Sequence, residues 1–365
     1  MKALSVFVGP KAAVRLANEG WHADLFDGLV GASGGPKWLV LGHLDRALWR
    51  SLLRQRDRPL TAVGSSIGAW RHALLAQPDP IAAIDRFERA YLEQSYSCDK
   101  PTVAEITKVA AELLRVGIGP DGETNIVEHP WMRTAVVTAR GRGWLARPEG
   151  KRLALGLFAA ACSNGLSRQT LERRFQRVVF EAGPVAPSPY RPTDFNTAYT
   201  ALTAHNTVAA LMATAAIPYV FGGVADPSAD TTATHWDGGI IDYHFDLSQL
   251  AAPHSPSQPG LWLYPHFGSG VTTGWFDKFL PWRRGGIPTL DNLVLLCPSH
   301  AFLRQLPFGK IPDRGDFRHL DVDVRIRYWQ QCVRGSKQLA EDFEALVGGS
   351  DPLKGVVLLS QQGQR

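Results

Sequence analysis

The chain has 365 residues, with 39 Lys and Arg against 34 Asp and Glu for a net charge of +5, and 45% of it is hydrophobic. That length suits one large domain or two ordinary ones, with a core that needs no disulfide or metal staple. The 20% charge content, with 35 glycines and 25 prolines, excludes a disordered or fibrous chain, and a small positive excess without a basic stripe excludes a nucleic-acid binder.

Strand-like and helix-like segments alternate through the first 220 residues, the habit of an α/β protein with a mainly parallel sheet. Residues 25–30 read as a strand entering the glycine-rich run Gly31-Ala32-Ser33-Gly34-Gly35-Pro36-Lys37. Leu41, Leu44, Leu48 and Leu52 then mark one face of a helix. Residues 60–63 form a second strand in this reading, followed by Gly64-Ser65-Ser66-Ile67-Gly68 and a short helix over 69–76 that stops before Pro78. Ile81, Ile84, Phe87 and Tyr91 outline another helix, and Pro101 suits the first turn of the next. Residues 134–139 and 177–180 read as strands. The Arg-rich helical segment around 167–177 is expected to present a solvated face, with binding to anionic surfaces as the lesser reading. Residues 183–194 and 251–260 are Pro/Ser-rich loops, and the organisation expected is a catalytic domain over 1–250 with an extension, 251–365, packed on it.

Cys98, Cys162, Cys297 and Cys332 lack CxxC spacing and read as reduced thiols of a cytoplasmic protein. The N-terminal apolar run ends at Gly9-Pro10-Lys11, too short for a signal peptide. The longest apolar stretch, 153–162, is about half the ~20 residues of a membrane span. A soluble protein, at most peripheral to a membrane, is expected.

The chemistry concentrates in three places. Gly64–Gly68 fits G-x-S-x-G with Ser66 at its centre, between a strand and a helix, as a nucleophile elbow requires. Its glycines relieve a sharp turn, and the helix N-terminus behind Ser66 stabilises developing negative charge; the plain alternative is a tight turn capped by a serine. The earlier run Gly31–Lys37 departs from both the P-loop and the dinucleotide fingerprint, which leaves an oxyanion hole or a structural turn. Asp237-Gly238-Gly239 is a candidate base or an ordinary Asp-Gly turn. Around it His235 and Asp237, and likewise Asp242, His244 and Asp246, share a side of an extended chain; a metal site there is the minor reading.

Together these segments resemble the patatin-like phospholipase family, whose pattern is G-G-G-x-[RK]-G, then G-x-S-x-G, then D-G-[GA]. The counterparts are Ser33-Gly34-Gly35-Pro36-Lys37-Trp38, Gly64–Gly68 and Asp237-Gly238-Gly239, and residues 213–221 (ATAAIPYVF) resemble the family's A-[ST]-x-A-x-P-x-x-F stretch. The resemblance covers about residues 25–245. It implies a three-layer α/β/α fold with a mainly parallel central sheet, no cofactor or metal, and hydrolysis of lipid carboxylic esters by a Ser66–Asp237 dyad through an acyl-enzyme. Gly34, Gly35 and Ile67 would supply oxyanion-hole amides, supported by Ser33, Lys37, Gly64, Gly68 and Gly238. Lys37 either orients the loop or is a surface lysine. The departures are Ser33 and Trp38 in place of glycines, and Trp38 is expected to narrow the acyl site. Two other readings stand: a Ser-His-Asp triad using His300 or His319, and a catalytically silent lipid-binding protein. Trp275, Phe276, Phe279 and Trp282, followed by Arg283-Arg284, suit either a bilayer interface or a flap over the core. No nucleic-acid partner is expected.

Overall fold

The computed structural model describes residues 2–183, 188–250, 260–283, 285–286 and 290–359. Among these, eleven strands pair into one sheet. They are β1 (Leu4–Val8), β2 (Phe26–Gly31), β3 (Leu60–Ser65), β4 (Met132–Gly141), β5 (Phe175–Glu181), β6 (Thr197–Ala201), β7 (Val224–Ala225), β8 (Thr234–Asp237), β9 (Leu261–Pro265), β10 (Leu293–Pro298) and β11 (Val357–Leu358). The order is β11-β1-β10-β9-β2-β3-β4-β5-β6, with β8 on β4 and β7 on β8. β9, β2, β3 and β4 run parallel. β3 and β10 are buried at every residue, the signature of strands covered on both faces by further layers. Helices flank the sheet in an α/β/α arrangement, and β9 and β10, from beyond residue 250, lie between β1 and β2.

Register places the loops that matter. Gly31 pairs with Gly64, so β2 and β3 end level and their loops emerge side by side beyond the carboxyl ends, where open α/β sheets place their ligands. β5 occupies one edge of β4 from Ala135 to Gly141. β3 takes the other edge as far as Ser65 opposite Val137, and β8 continues along that edge with Asp237 opposite Thr138. The carboxyl ends of β3 and β8 therefore meet. The helix Ile67–Leu75 is fixed by a buried bidentate pair in which Arg71 donates to both oxygens of Asp45 at 2.8 and 2.6 Å.

Several local expectations shift. The helix over the Leu41–Leu52 pattern is α-helical only at Gly42–Leu48, between a 3-10 turn (Gly35–Val40) and a π turn (Trp49–Leu53). Helix Ile67–Leu75 begins two residues earlier than its apolar pattern, because Ser66 takes the cap position. Pro101 lies outside the next helix, whose N-cap is Thr102 accepting the Glu105 N–H. The Arg-rich segment is a short 3-10 turn (Arg168–Arg173) followed by β5, in which Gln169 and Arg173 face solvent while Arg168 and Arg174 are half-buried. Arg177 in particular is buried, because its guanidinium donates to Asp242 at 2.7 and 2.8 Å and to Asp194 at 2.7 Å. Those carboxylates offset the cost of taking the charge out of water. The loop residues 184–187 and 251–259, and Arg284, lie outside the described residues. Among the described residues no helix is long and apolar enough to cross a membrane.

Candidate active site

Ser66 stands between β3 and helix Ile67–Leu75 with φ 53° and ψ −131°. A non-glycine residue held there stores on the order of 1–3 kcal/mol, a cost typical of functional turns. The flanking glycines are demanded by contact. A Cβ on Gly64 would meet Ala69 N at 2.5 Å, and one on Gly68 would meet the Gly31 carbonyl oxygen at 2.0 Å. The helix start and the end of β2 thus touch backbone to backbone. The Ser66 N–H donates to Thr214 Oγ1 at 2.8 Å, and that hydroxyl in turn donates to the Val137 carbonyl, tying the turn to β4.

Asp237 closes β8. Ser66 Oγ donates to its Oδ2 at 2.8 Å, while its Oδ1 accepts the Gly239 N–H at 2.7 Å. Both side chains are buried. Burial pushes the Asp237 carboxyl above the ordinary aspartate range, against the opposing pull of Arg314, the Ser66 and Gly239 bonds, and Lys278. Gly238 has no room for a side chain, since a Cβ would meet the Val137 carbonyl at 2.0 Å.

The glycine-rich loop lies beside this pair. Gly34 caps and Gly35 begins the turn Gly35–Val40, and Ile67 begins its own helix; N–H groups at such positions have no intrahelical acceptor. Gly35 has φ 55°, and a Cβ there would meet Arg314 Nε at 2.9 Å. Ser33 has a clear role despite its departure from the glycine pattern. Its Oγ lies 2.8 Å from Ser65 Oγ, which donates to the Asp242 carbonyl at 2.6 Å, and its N–H donates to the Tyr243 carbonyl at 2.9 Å. Lys37 is no free surface lysine: its Nζ lies 3.5 Å from the Tyr243 hydroxyl and 4.5 Å over the Phe267 ring, and burial lowers its pKa.

Trp38 does not narrow the site. It is fully buried against Phe87 and Tyr91, with ring centroids 5.0 and 5.6 Å away, and is not part of the cavity wall. Helix Pro80–Glu93 supplies the hole that accepts it.

Asp237 opens onto a cavity of about 280 Å³ whose wall includes Ser33, Gly34, Lys37, Tyr243, Lys278 and Arg314. Lys278 sits 3.2 Å over the Tyr243 ring; burial, reinforced by Lys37 and Arg314, pushes its amine down to about 7. Among the described residues no histidine lines this cavity; His300 is exposed, and His319 is exposed beside Gly315 without entering the wall. The other ionisable groups near Asp237 have separate partners. His235 Nδ1 lies 2.9 Å from Thr138 Oγ1, Asp242 binds Arg177, His244 Nδ1 accepts from Thr272 N–H at 2.9 Å, and Asp246 caps the turn Leu247–Gln249. They do not converge, and among the described residues no group of three or more His, Cys, Asp or Glu is placed to hold a metal ion. In the aromatic run, Phe276 is buried and Trp275 lines the cavity, whereas Phe279 and Trp282 are 67% and 72% exposed.

Sequence reading missed Ser65, Thr214, Lys278 and Arg314. Thr214 carried a signal, since it lies in the stretch resembling the family's; a lone lysine and a lone arginine beyond residue 250 carried none.

The buried serine–aspartate pair thus lies beside the glycine-rich loop, at the carboxyl ends of β2 and β3 in a mainly parallel sheet. The family model of patatin-like phospholipases matches residues 29–244, more than half the chain, and the chain belongs to that family. Membership implies a hydrolase acting on lipid esters, and the fold is the patatin-like one. Among solved structures the chain is similar to VipD from Legionella pneumophila, at 12% identity over 92% of this chain and 72% of that one, with a TM-score of 0.36; at that level nothing is inferred from the likeness. No curated protein matches the chain.

The Gly31–Gly68 contact makes a direct prediction. Gly68→Ala lowers stability by about 1–3 kcal/mol, the usual cost of overpacking, whereas Gly143→Ala, with open space around it but φ 57°, costs about 1 kcal/mol through backbone strain alone. Denaturant unfolding of the two variants checks the order.

Proposed function

We propose that the protein is a serine acyl-ester hydrolase of lipid carboxylic esters, with Ser66 as nucleophile and Asp237 as base. The observation that carries this reading is the 2.8 Å Ser66–Asp237 bond, made by a carboxylate whose second oxygen is held by the Gly239 N–H. As Ser66 Oγ attacks the ester carbonyl carbon, its proton passes to Asp237 Oδ2. The carbonyl oxygen becomes an oxyanion facing the amides of Gly34, Gly35 and Ile67, each typically worth about 3 kcal/mol in the transition state. The tetrahedral intermediate then breaks its bond to the alkoxide, which takes the proton from Asp237. Water, giving a proton to the same carboxylate, attacks the acyl-enzyme; the carboxylic acid leaves and Ser66 regains its proton.

A surface aspartate, with a pKa near ~3.9, is a poor base for an alcohol. Burial of Asp237 raises its basicity, and the fixed 2.8 Å geometry reduces the ordering the reaction must supply. The exposed positions of His300 and His319 favour this dyad over a triad. The bonds of Ser33 and the burial of Trp38 behind the cavity wall weigh against the silent lipid-binding reading that leaned on these departures. In this reading the stretch beyond residue 250 is part of the catalytic domain, since β9 pairs with β2 and β10 pairs with β9 and β1.

We further propose that the protein meets lipid through an apolar face beside the cavity. Helix Arg152–Leu166 carries no charge after Arg152, and Leu155, Phe158 and Leu166 are 51%, 70% and 88% exposed. The helix packs on the turn Phe276–Phe279, where Asn164 donates to Asp277 at 2.8 Å, and Phe279 of that turn and Trp282 just after it are exposed as well. Exposed Arg147, Lys151 and Arg173 flank it. An apolar face with cationic edges suits an anionic bilayer surface.

Three outcomes are expected. Ser66→Ala and Asp237→Asn each lower hydrolysis of a p-nitrophenyl ester series by at least about a thousandfold, while His300→Ala and His319→Ala retain it; retention by Asp237→Asn of intact fold would overturn the dyad. Activity needs the Asp237 carboxylate, so the acid limb of the kcat/KM profile lies above the ordinary aspartate range and moves in no other variant of the series. Phe158→Ser and Trp282→Ser each weaken sedimentation with anionic vesicles by about tenfold, the worth of one buried aromatic side chain, leaving turnover of a water-soluble ester unchanged.

A further inference from the structure

Three cations meet in the cavity beside Asp237: Lys37 from the glycine-rich loop, Lys278 from the turn Phe276–Phe279, and Arg314. Lys278 and Arg314 lie outside the matched segment 29–244, in this chain's C-terminal part. Their placement is definite. Lys278 Nζ sits 3.2 Å over the face of Tyr243, Lys37 Nζ lies 3.5 Å from the hydroxyl of the same ring, and Arg314 lies across Gly35 with its Nε 2.9 Å from where a side chain would begin.

The acidic groups there are engaged. Asp313 accepts from Lys310 Nζ at 2.7 Å and from the Gly315 N–H at 2.6 Å, and Asp237 is held by Ser66 and Gly239. Like charges brought together disfavour one another's charged forms; the pKa of Lys278 is depressed by its burial first, and then by Lys37 and Arg314, with Asp237 opposing them. A neutral ester gives nothing in return for that cost. An anion placed among the three offsets it, and a guanidinium with two ammonium groups matches the donor needs of phosphate oxygens.

We propose that Lys278 and Arg314, together with Lys37, form a phosphate subsite that selects esters bearing net negative charge next to the scissile bond over neutral and zwitterionic ones. The selectivity rests on Ser66 being the nucleophile; the subsite itself does not. The shared chemistry is a phosphate group, as a lipid headgroup or as the free ion.

The test has two arms. In the first, fatty-acid release is measured from a monoacylglycerol phosphate, the matching monoacylglycerol and the matching glycerophosphocholine ester. Wild type prefers the anionic substrate, and Lys278→Gln and Arg314→Gln each lower the ratio of its kcat/KM to that of the neutral ester by about tenfold, the usual worth of one charge-assisted contact. In the second, calorimetry follows decyl phosphate, decanol and inorganic phosphate binding to Ser66→Ala protein. Tighter binding of decyl phosphate than of decanol, weakened by either substitution, supports the subsite. Competition by inorganic phosphate shows that the free ion suffices, and its absence shows that a lipid headgroup is required. Equal binding of decyl phosphate and decanol, or a substrate ratio unmoved in both variants, overturns the proposal. Arg314 is exposed, so its variant decides the matter should Lys278→Gln fail to fold. If wild type hydrolyses none of the three esters, the hydrolase reading fails while the binding arm still decides the subsite.

Discussion

Everything at the site depends on one close approach, that of Gly68 to Gly31. Two backbones meet there at a distance no side chain permits, so helix Ile67–Leu75 starts hard against the end of β2. That contact forces the chain through the left-handed conformation at Ser66 and brings the Ile67 amide near the loop that begins at Gly31. The buried Arg71–Asp45 pair holds the helix in that position. The strain at Ser66 is carried by a scaffold that has few alternatives, as strained functional turns require.

The electrostatics of the cavity oppose those of an ordinary surface. A carboxylate that has lost water is made more basic, while Arg314 and Lys278 partly restore its charged form. The first tendency prevails: burial holds the Asp237 carboxyl above the ordinary aspartate range, and the neighbouring cations limit how far it rises. Arg177, Arg168 and their aspartates brace the segment after Asp237 from the other side. Arg177 holds Asp242, and Arg168 donates to the Ile241 carbonyl at 2.9 Å. The Asp-Gly-Gly turn is therefore pinned at both ends.

Much of this was legible in the sequence because it depends on local pattern. The glycines at positions 64 and 68 mark a steric requirement, and the apolar runs of β3 and β4 follow from burial on both faces. The Ser66 and Asp237 candidates came from such motifs, and the structure brings them together. What escaped depends on distant packing. Trp38 reads as an obstruction beside a glycine loop until helix Pro80–Glu93 is seen to receive it. Arg177 reads as solvated until Asp194 and Asp242 are found against it. Lys278 and Arg314 have no periodicity and no motif, and only the folded chain places them at the cavity. Element ends also moved, because turns at Gly35–Val40 and Trp49–Leu53 are set by what they pack on and not by leucine spacing.

The placement of β8 has a broader consequence. Ser65 and Asp237 pair with consecutive residues of β4, Val137 and Thr138, so β4 acts as a splint shared by the strand that leads into Ser66 and the strand that ends at Asp237. Their separation is set by sheet register and is independent of the long stretch of chain that joins them. Thermal breathing of the sheet carries both together. Intervening segments other than helix Ile67–Leu75, the Thr214 contact and the Arg168 and Arg177 braces can lengthen or shorten without disturbing the pair, provided that β4 keeps its register. Diversification in this architecture should therefore accumulate between the two residues and spare the strand that neither of them belongs to.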